Sequence, residues 1–434
     1  MGNYSIVRLR SVGSDHVISK MYSTNFELEA QSYQIQHDAF TREHISYPTS
    51  FSASMNKLGN QSHEIFYDCE IMQKKWSEEN GSHYNNTSWQ TDIILAQLKP
   101  LKPDVLYFQD IFSMPPEMRV EIKDLVPSIK LKIIHKGFPG ETRDLSDADL
   151  LTVSSPILLE RYKNLKPHLV YHSFDDSVLA VMSNLEGEHG TKRNDVSFIG
   201  SFHRPERRYW MLIELLKKTD IQVWGFESAI QTNYKKSGKE ALKNLLRPLA
   251  KKIVESFCVL GIPASKYVRY LPKYIENYIN KVNEGLKKQN KIINYGIKEG
   301  GTIDKTIKEM YPERCHDSVY GIKYYQLIHN SNIVFNMHHP TAANTVDNMK
   351  MFEVTGSGSC LLTDTGVNMK DIFEEDKEIV TYKSIDEAIE KITYLLNHPS
   401  EMEQIAKAGQ ARTLRDHTIM NRCQQIDKLI KNKL

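Results

Sequence analysis

The sequence is poor in the features that settle a protein's class at a glance. Cysteine is scarce: Cys69, Cys258, Cys315, Cys360 and Cys423 are spread over 434 residues with no Cys-x-x-Cys pair. That spacing argues against a zinc knuckle, and an odd, sparse count fits a reducing compartment. No apolar run approaches the about 20 residues needed to cross a bilayer, and no secretory leader opens the chain. Met1-Gly2 looks like a myristoylation start, but Ile6 stands where Ser or Thr is required. A cytoplasmic protein with no transmembrane segment is the expectation. Charge of one sign is not in excess either, since 56 Lys and Arg face 54 Asp and Glu for a net +2. Nothing therefore demands nucleic acid as a partner, while the slight basic lean suits phosphorylated ligands or peripheral contact with an anionic membrane. GxSxG, Walker A, HExxH and full GxGxxG patterns are all missing. Serine hydrolases, P-loop phosphotransferases, zinc proteases and ordinary NAD enzymes are disfavoured accordingly.

What is present is an ordinary soluble composition, 40% hydrophobic and 25% charged, over a length too great for a single core. Two domains are expected. The stretch that organises the chain is 347–364. Asn348, Lys350 and Glu353 open a short helix with Met351, Phe352 and Val354 as apolar partners; Gly356-Ser357-Gly358 ends it, and 359–363 reads as a buried strand. A helix that stops at glycines and feeds a core strand is half of an α/β crossover. The same alternation runs through the first half, with predicted strands at 5–9, 64–68, 105–108, 131–135, 149–153 and 168–172. Helices are predicted at 26–39, 50–58, 88–98 (stopping before Pro100), 116–125 and 156–164. Residues 175–194 turn polar and read as a linker. The second half has predicted strands at 195–199, 222–225, 332–337 and 378–382, helices at 206–218, 324–329 and 385–396, and two more over 401–434. Residues 227–318, rich in Lys, Asn and Tyr with no core strand in view, read as a helical insertion. Strands and helices alternating at this spacing predict doubly wound parallel sheets.

In such sheets ligands bind beyond the carboxyl ends of strands, so the loops there hold the candidates. Gly200-Ser201 follows one predicted strand, and the glycine lets backbone N–H groups approach a phosphate. Arg204, Arg207 and Arg208 lie in that loop and its helix, offering guanidinium forks to a diphosphate or, on the bland reading, a solvated surface. Lys350 and Glu353 share a helix face near an N-terminus. They suit a diphosphate and ribose hydroxyls, against the commoner reading as an ordinary surface pair. Gly225 ends another strand, where a base can pack. His338-His339 follow a third; adjacent histidines point apart, which disfavours a metal site and leaves substrate hydroxyls as partners. In the first half, Asp110 and His135-Lys136-Gly137 follow strands. His135 is a candidate acid/base or sugar contact, against the commoner reading as a satisfied structural group.

The run 195–201, then Arg208, then 348–358, resembles the CgeB-type glycosyltransferases, as do Gly409-Gln410-Ala411-Arg412-Thr413 and Asp416-His417-Thr418. The similarity covers the second half; in the first, 102–107 and Ser173-Phe174-Asp175 look like that family's landmarks. The resemblance implies a GT-B architecture: α/β, with two Rossmann-like domains facing across a cleft. Residues 1–180 would take the acceptor, 181–415 with its insertion at 227–318 would bind a nucleotide-sugar, and a last helix at 416–434 would cross back to the first domain. It implies a glycosyltransferase with a nucleotide-sugar donor and retention of anomeric configuration. No cofactor or catalytic metal is expected, in line with the lack of a DxD-type motif near the donor loop. Carried onto these positions, Gly200, Ser201, Arg208 and Lys350 hold the diphosphate, Glu353 holds ribose hydroxyls, and Gly356 to Gly358 admit the backbone. Arg204, Gly225, His338 and Asn348 complete the candidate nucleotide-sugar site, and Lys350, Arg208 and His135 are the candidate catalytic residues. The family commonly has Arg where this chain has Lys350, which keeps the charge and loses the bidentate fork.

The acceptor stays open among polysaccharide, lipid, protein and small molecule. Two rival readings remain at this level. One is a nucleotide-sugar epimerase on the same architecture, which needs no acceptor. The other is a catalytically degenerate protein that binds a nucleotide-sugar without chemistry.

Overall fold

Apolar runs of three to six residues, each followed by a polar turn and an amphipathic segment, fold into two parallel sheets flanked by helices. The computed structural model describes residues 3–185, 194–229 and 306–434, apart from Ser14, Ser46, Asp110, Phe112, Ser113, Glu141, Pro205 and Phe226. The first sheet contains β1 (Ser5–Arg10), β2 (Gln61–Phe66), β3 (Val105–Phe108), β4 (Leu131–Lys136), β5 (Leu150–Val153) and β6 (His168–Leu169). Further along come β7 (Asn194–Ile199), β8 (Phe202–Arg204), β9 (Gln222–Trp224), β10 (Glu227–Ala229), β11 (Cys315–His316), β12 (Ser331–Phe335), β13 (Cys360–Asp364) and β14 (Val380–Tyr382). Strand order is β2-β1-β3-β4-β5-β6 in one six-stranded sheet and β11-β9-β7-β12-β13-β14 in the other, with β8 and β10 forming a small pair. Every pairing within the two large sheets is parallel. Strands covered on both faces need no polar alternation, and Val105 to Phe108 and Cys360 to Asp364 are buried without a break.

The order fixes where a ligand can sit. In the first sheet the chain leaves β1 toward β2 and later returns to β3 on the other side. In the second it leaves β7 toward β9 and returns to β12. Each reversal opens a crevice at the carboxyl ends of the central strands.

The lobes are joined at two adjacent crossings. The Phe174 N–H donates to the His417 carbonyl at 2.9 Å, and the Ile419 N–H donates to the Phe174 carbonyl at 2.9 Å. The helix Ile419–Lys431 then lies on the first lobe, where Ile419, Cys423, Ile426 and Ile430 are buried with Tyr4, Ile6, Phe51 and Met55. Their spacing of three and four residues is one helical stripe. Asp175 accepts the N–H groups of Thr49 (2.6 Å) and Ser50 (3.1 Å). Hydrogen bonds to His44, Ser177 and Ser50 hold its carboxyl well below the usual range against the cost of burial.

Several sequence expectations needed correction. The helix predicted at 26–39 is a short turn, Leu28–Ala30, followed by Tyr33–Arg42, because Ser32 restarts the helix by accepting the Ile35 N–H. Trp89–Leu101 runs through Pro100. In the last turn a proline forfeits one bond, and Lys102 closes the helix in a left-handed conformation, its N–H on Leu98. Helices Asp15–Thr24 and Glu70–Glu79 bury only two and three side chains and show too thin a stripe to be read in advance. The polar linker begins as the helix Ser177–Leu185, whose Val178 and Met182 enter the second lobe's core; 186–193 lie outside the described residues. The insertion expected at 227–318 also lies largely outside them. Its described ends contain strands rather than helices alone, β10 and the sheet-edge β11.

Candidate functional site

The crevice of the second sheet opens between the lobes as a cavity of about 360 Å³. Its floor is the end of β7 and the following turn, Ile199, Gly200 and Ser201, with Trp224 and Gly225 from the end of β9 beside it. One wall is the helix Met349–Gly356, bringing Met349 and Lys350 from its first turn and Glu353 from its second; the other is 318–325. His44 and Ile45 of the first lobe close the top. Two backbone approaches make this geometry possible. Gly200 has φ +153°, and a Cβ there would stand 2.9 Å from Lys350 Nζ. A Cβ on Gly225 would stand 2.2 Å from the Gly200 carbonyl oxygen, so only glycine lets the β7 and β9 turns pass this closely.

Lys350 is half-buried, donates to the Ile199 carbonyl, and sits 5.4 Å from the centre of the Phe198 ring. Burial, and then the neighbouring charge of Arg208, pushes its pKa down to about 8 against the pull of Glu353. Arg208 reaches the same turn from the helix Arg207–Lys218. It donates to the carbonyls of Ser201 (2.7 Å) and Met337 (2.9 Å), which ties the β7 and β12 ends together. Glu353 is 8% exposed and accepts the Tyr324 hydroxyl at 2.6 Å through Oε2. Burial pushes its carboxyl up, opposed by that hydrogen bond and by Lys350. Trp224 stacks on His316 at 4.5 Å and 24°, giving the cavity a flat aromatic side.

The structure thus brings together Gly200, Ser201, Gly225, Lys350 and Glu353, with Arg208 just behind the turn. It does not bring the remaining candidates to the cavity. Asn348 caps the helix, accepting the Met351 N–H at 3.2 Å, and its amide exchanges hydrogen bonds with Asn336. His338 is 5% exposed and engaged on both ring nitrogens, Nδ1 with Asp364 at 2.7 Å and Nε2 as acceptor of the Asp347 N–H at 3.2 Å. It holds the β12–β13 ends rather than a sugar. Gly356 and Gly358 lie at the far end of their helix: a Cβ on Gly356 would stand 2.4 Å from the Phe174 ring, and one on Gly358 3.1 Å from Gln410. Those glycines serve packing. The side chain of Arg204, and Asp110 as a whole, lie outside the described residues.

His135 belongs to a neighbouring cluster between the lobes. Its Nδ1 meets Thr152 Oγ1 at 3.0 Å and its ring stands edge-on to His172 at 6.1 Å. Burial, then the charges of His172, Lys136 and Arg8, pushes its pKa down to about 3, so the ring is neutral at ordinary pH and poorly suited to act as a general acid. In the same region Ser154 Oγ donates to Asp347 Oδ2 at 3.0 Å, a buried link between the first lobe and the second. Reading the sequence missed Tyr324, the Trp224–His316 stack, His44 and Asp347. Tyr324, Trp224 and Asp347 fell inside predicted segments without being singled out, and their contacts, like those of His44 and His316, join distant segments. Among the described residues no group of three or more His, Cys, Asp or Glu side chains converges as a metal site, and no helix is long and apolar enough to cross a membrane.

Comparison with known proteins adds the following. Residues 290–428 match the family described as glycosyl transferase-like. No curated protein matches the chain in sequence. The structure is similar to sucrose-phosphate synthase from Thermosynechococcus elongatus, at TM-score 0.51 and 8% identity over 99% of each chain. It is also similar to HepE from Anabaena in complex with UDP-glucose, at TM-score 0.50 and 11% identity over 99% of this chain and 100% of that one. The fold is GT-B, as the sequence led us to expect.

Proposed function

We propose that this protein is a glycosyltransferase of CgeB type that moves a sugar from a nucleoside diphosphate onto an acceptor hydroxyl, with retention and without a catalytic metal. The observation that carries the reading is the cation pair Lys350 and Arg208 at the Gly200 turn. Both stand at the topological switch point, Lys350 lining the cavity and Arg208 bracing the turn from behind, with a buried carboxylate three residues beyond Lys350 on the same helix. The diphosphate lies against the Gly200-Ser201 backbone and the first turn of the helix Met349–Gly356, whose unpaired N–H groups and dipole favour an anion. Glu353 takes ribose hydroxyls through Oε1, since Oε2 is held by Tyr324. The base packs beside Trp224. In the reaction the bond from sugar C1 to the diphosphate oxygen breaks and its electron pair stays with the phosphate. The acceptor oxygen bonds to C1, and the acceptor proton passes to the departing diphosphate. Lys350 and Arg208 act by neutralising the charge that grows on that leaving group, which is where preorganised cations lower a barrier most.

UDP-sugars are the donors to try first, because HepE, of like fold, is known with UDP-glucose bound. The test is release of UDP from a panel of UDP-sugars with glycan, lipid and small-molecule acceptors, in EDTA, followed by NMR of the product's anomeric proton. Acceptor-dependent, EDTA-insensitive release with retained configuration supports the proposal. Conversion of the donor sugar without acceptor points to the epimerase, and donor binding without turnover points to the degenerate binding protein.

A further inference from the structure

A second cavity, of about 600 Å³, lies on the flank of the first sheet and shares no lining residue with the cleft cavity. Its size is within the range of about 300–1,000 Å³ typical of small-ligand sites. Four consecutive residues of β2, Ser62 to Ile65, line it. Successive strand side chains face opposite sides of a sheet, so a cavity touching four in a row wraps around the strand's open edge. β2 is indeed an outer strand, paired only with β1 among the described strands. An open edge invites another strand, but this one is blocked at both ends. The Ser62 N–H donates to Asn56 Oδ1 at 2.8 Å, and the Phe66 carbonyl accepts Gln73 Nε2 at 2.9 Å. An extended peptide would find few rungs left.

The chemistry of the walls points elsewhere. Tyr33 and Trp76 offer partly exposed aromatic rings, and His37 and His63 offer imidazoles. Burial lowers the pKa of His37, against the pull of Glu64 and Asp38, and its buried Nδ1 makes no hydrogen bond, the Asp38 carboxylate standing 3.6 Å away. The wall carboxylate, Glu64, is already held by Arg8 at 2.8 Å and Arg10 at 3.4 Å, leaving it no charge to offer a cation. Hydroxyl and imidazole groups set beside aromatic faces match a ligand with many hydroxyls and flat C–H faces. We propose that this flank cavity binds a neutral oligosaccharide segment. Binding rests on the cavity alone; its use to hold a glycan acceptor near the cleft rests on the transferase reading.

The test is calorimetric titration of the full chain with maltohexaose, cellohexaose and chitohexaose up to millimolar concentration, with UDP titrated in parallel. One saccharide should saturate. Trp76→Ala should weaken it by about tenfold, the scale of one well-placed aromatic contact, and leave UDP affinity unchanged. Lys350→Ala should do the reverse. His63→Ala provides a second lesion in the cavity should Trp76→Ala fail to fold. Saccharide binding without UDP binding supports this site while counting against the donor reading. Absence of saccharide binding overturns the proposal, as does binding that survives both cavity substitutions. Capture of an extended peptide in place of every saccharide also overturns it, in favour of strand addition.

Discussion

The two ends of the helix Met349–Gly356 flank one apolar centre, a lysine near the first and Thr355-Gly356 at the last, and their surroundings differ. At the first turn Lys350 is half-buried beside Arg208, and one turn on Glu353 is buried on Tyr324, so charges are held out of water without full neutralisation. At the last turn Thr355 and the Gly356 backbone are engaged by neighbours, while the Ser357 hydroxyl at the cap is buried without a partner. Thr355 Oγ1 meets Thr413 Oγ1 at 2.6 Å, Gln410 Nε2 donates to the Gly356 carbonyl at 3.0 Å, and the Gly356 Cα faces the Phe174 ring. The first end keeps electrostatic energy available to a ligand, and the second spends it on fixing the lobes to each other. On the proposed reading, a motif contiguous in sequence divides into a binding half and a packing half, and glycines within it are no evidence that a ligand approaches.

Substitutions at the two ends should separate these roles. The largest effect is expected for Lys350→Ala, which should lower turnover by about 10²–10³, the scale of removing one preorganised charge from a developing anion. Its melting temperature should not fall, because the lost group is a cation that burial disfavours. Unchanged turnover would remove Lys350 from the mechanism. Gly356→Ala should do the opposite. The added methyl meets the Phe174 ring, so we expect a loss of about 1–3 kcal/mol in urea unfolding, with nucleotide affinity of the folded protein unaltered. Full stability in that variant would contradict the packing assignment.

The smallest effect is on pH. Lys350 titrates near 8 in the free protein, and a bound diphosphate favours its charged form. UDP affinity should accordingly be flat below that value and weaken above it, by up to about tenfold per pH unit. Lys350→Arg should flatten the curve. A curve that stays level from pH 7 to pH 10 in the parent protein would show that the lysine charge is not used.

The fold was largely legible because buried parallel strands are nearly pure apolar runs, and segments such as Val105 to Phe108 and Cys360 to Asp364 leave little choice. Elements that failed were those with weak stripes, Asp15–Thr24 and Glu70–Glu79, or the two-residue β11, which carries no periodicity at all. In the site, Gly200, Lys350 and Glu353 could be picked out because a turn after a strand and a helix start are local facts. His338 could not be judged, since its partners Asp364 and Asp347 are satisfied only after β12 and β13 pair. His44 reaches the cavity through the meeting of the lobes, and Tyr324 meets Glu353 only once two helices of the second lobe pack together; local pattern encodes neither.

The central claim is that a nucleoside diphosphate sits on the first turn of this helix and not on its glycine end. Calorimetric titration of UDP in EDTA against the parent protein, Lys350→Ala and Gly356→Ala tests it most directly. The account requires equal affinity in the parent and Gly356→Ala, and a loss of at least about tenfold, or 1.4 kcal/mol, in Lys350→Ala. Equal affinity in all three, or a loss confined to Gly356→Ala, would contradict it.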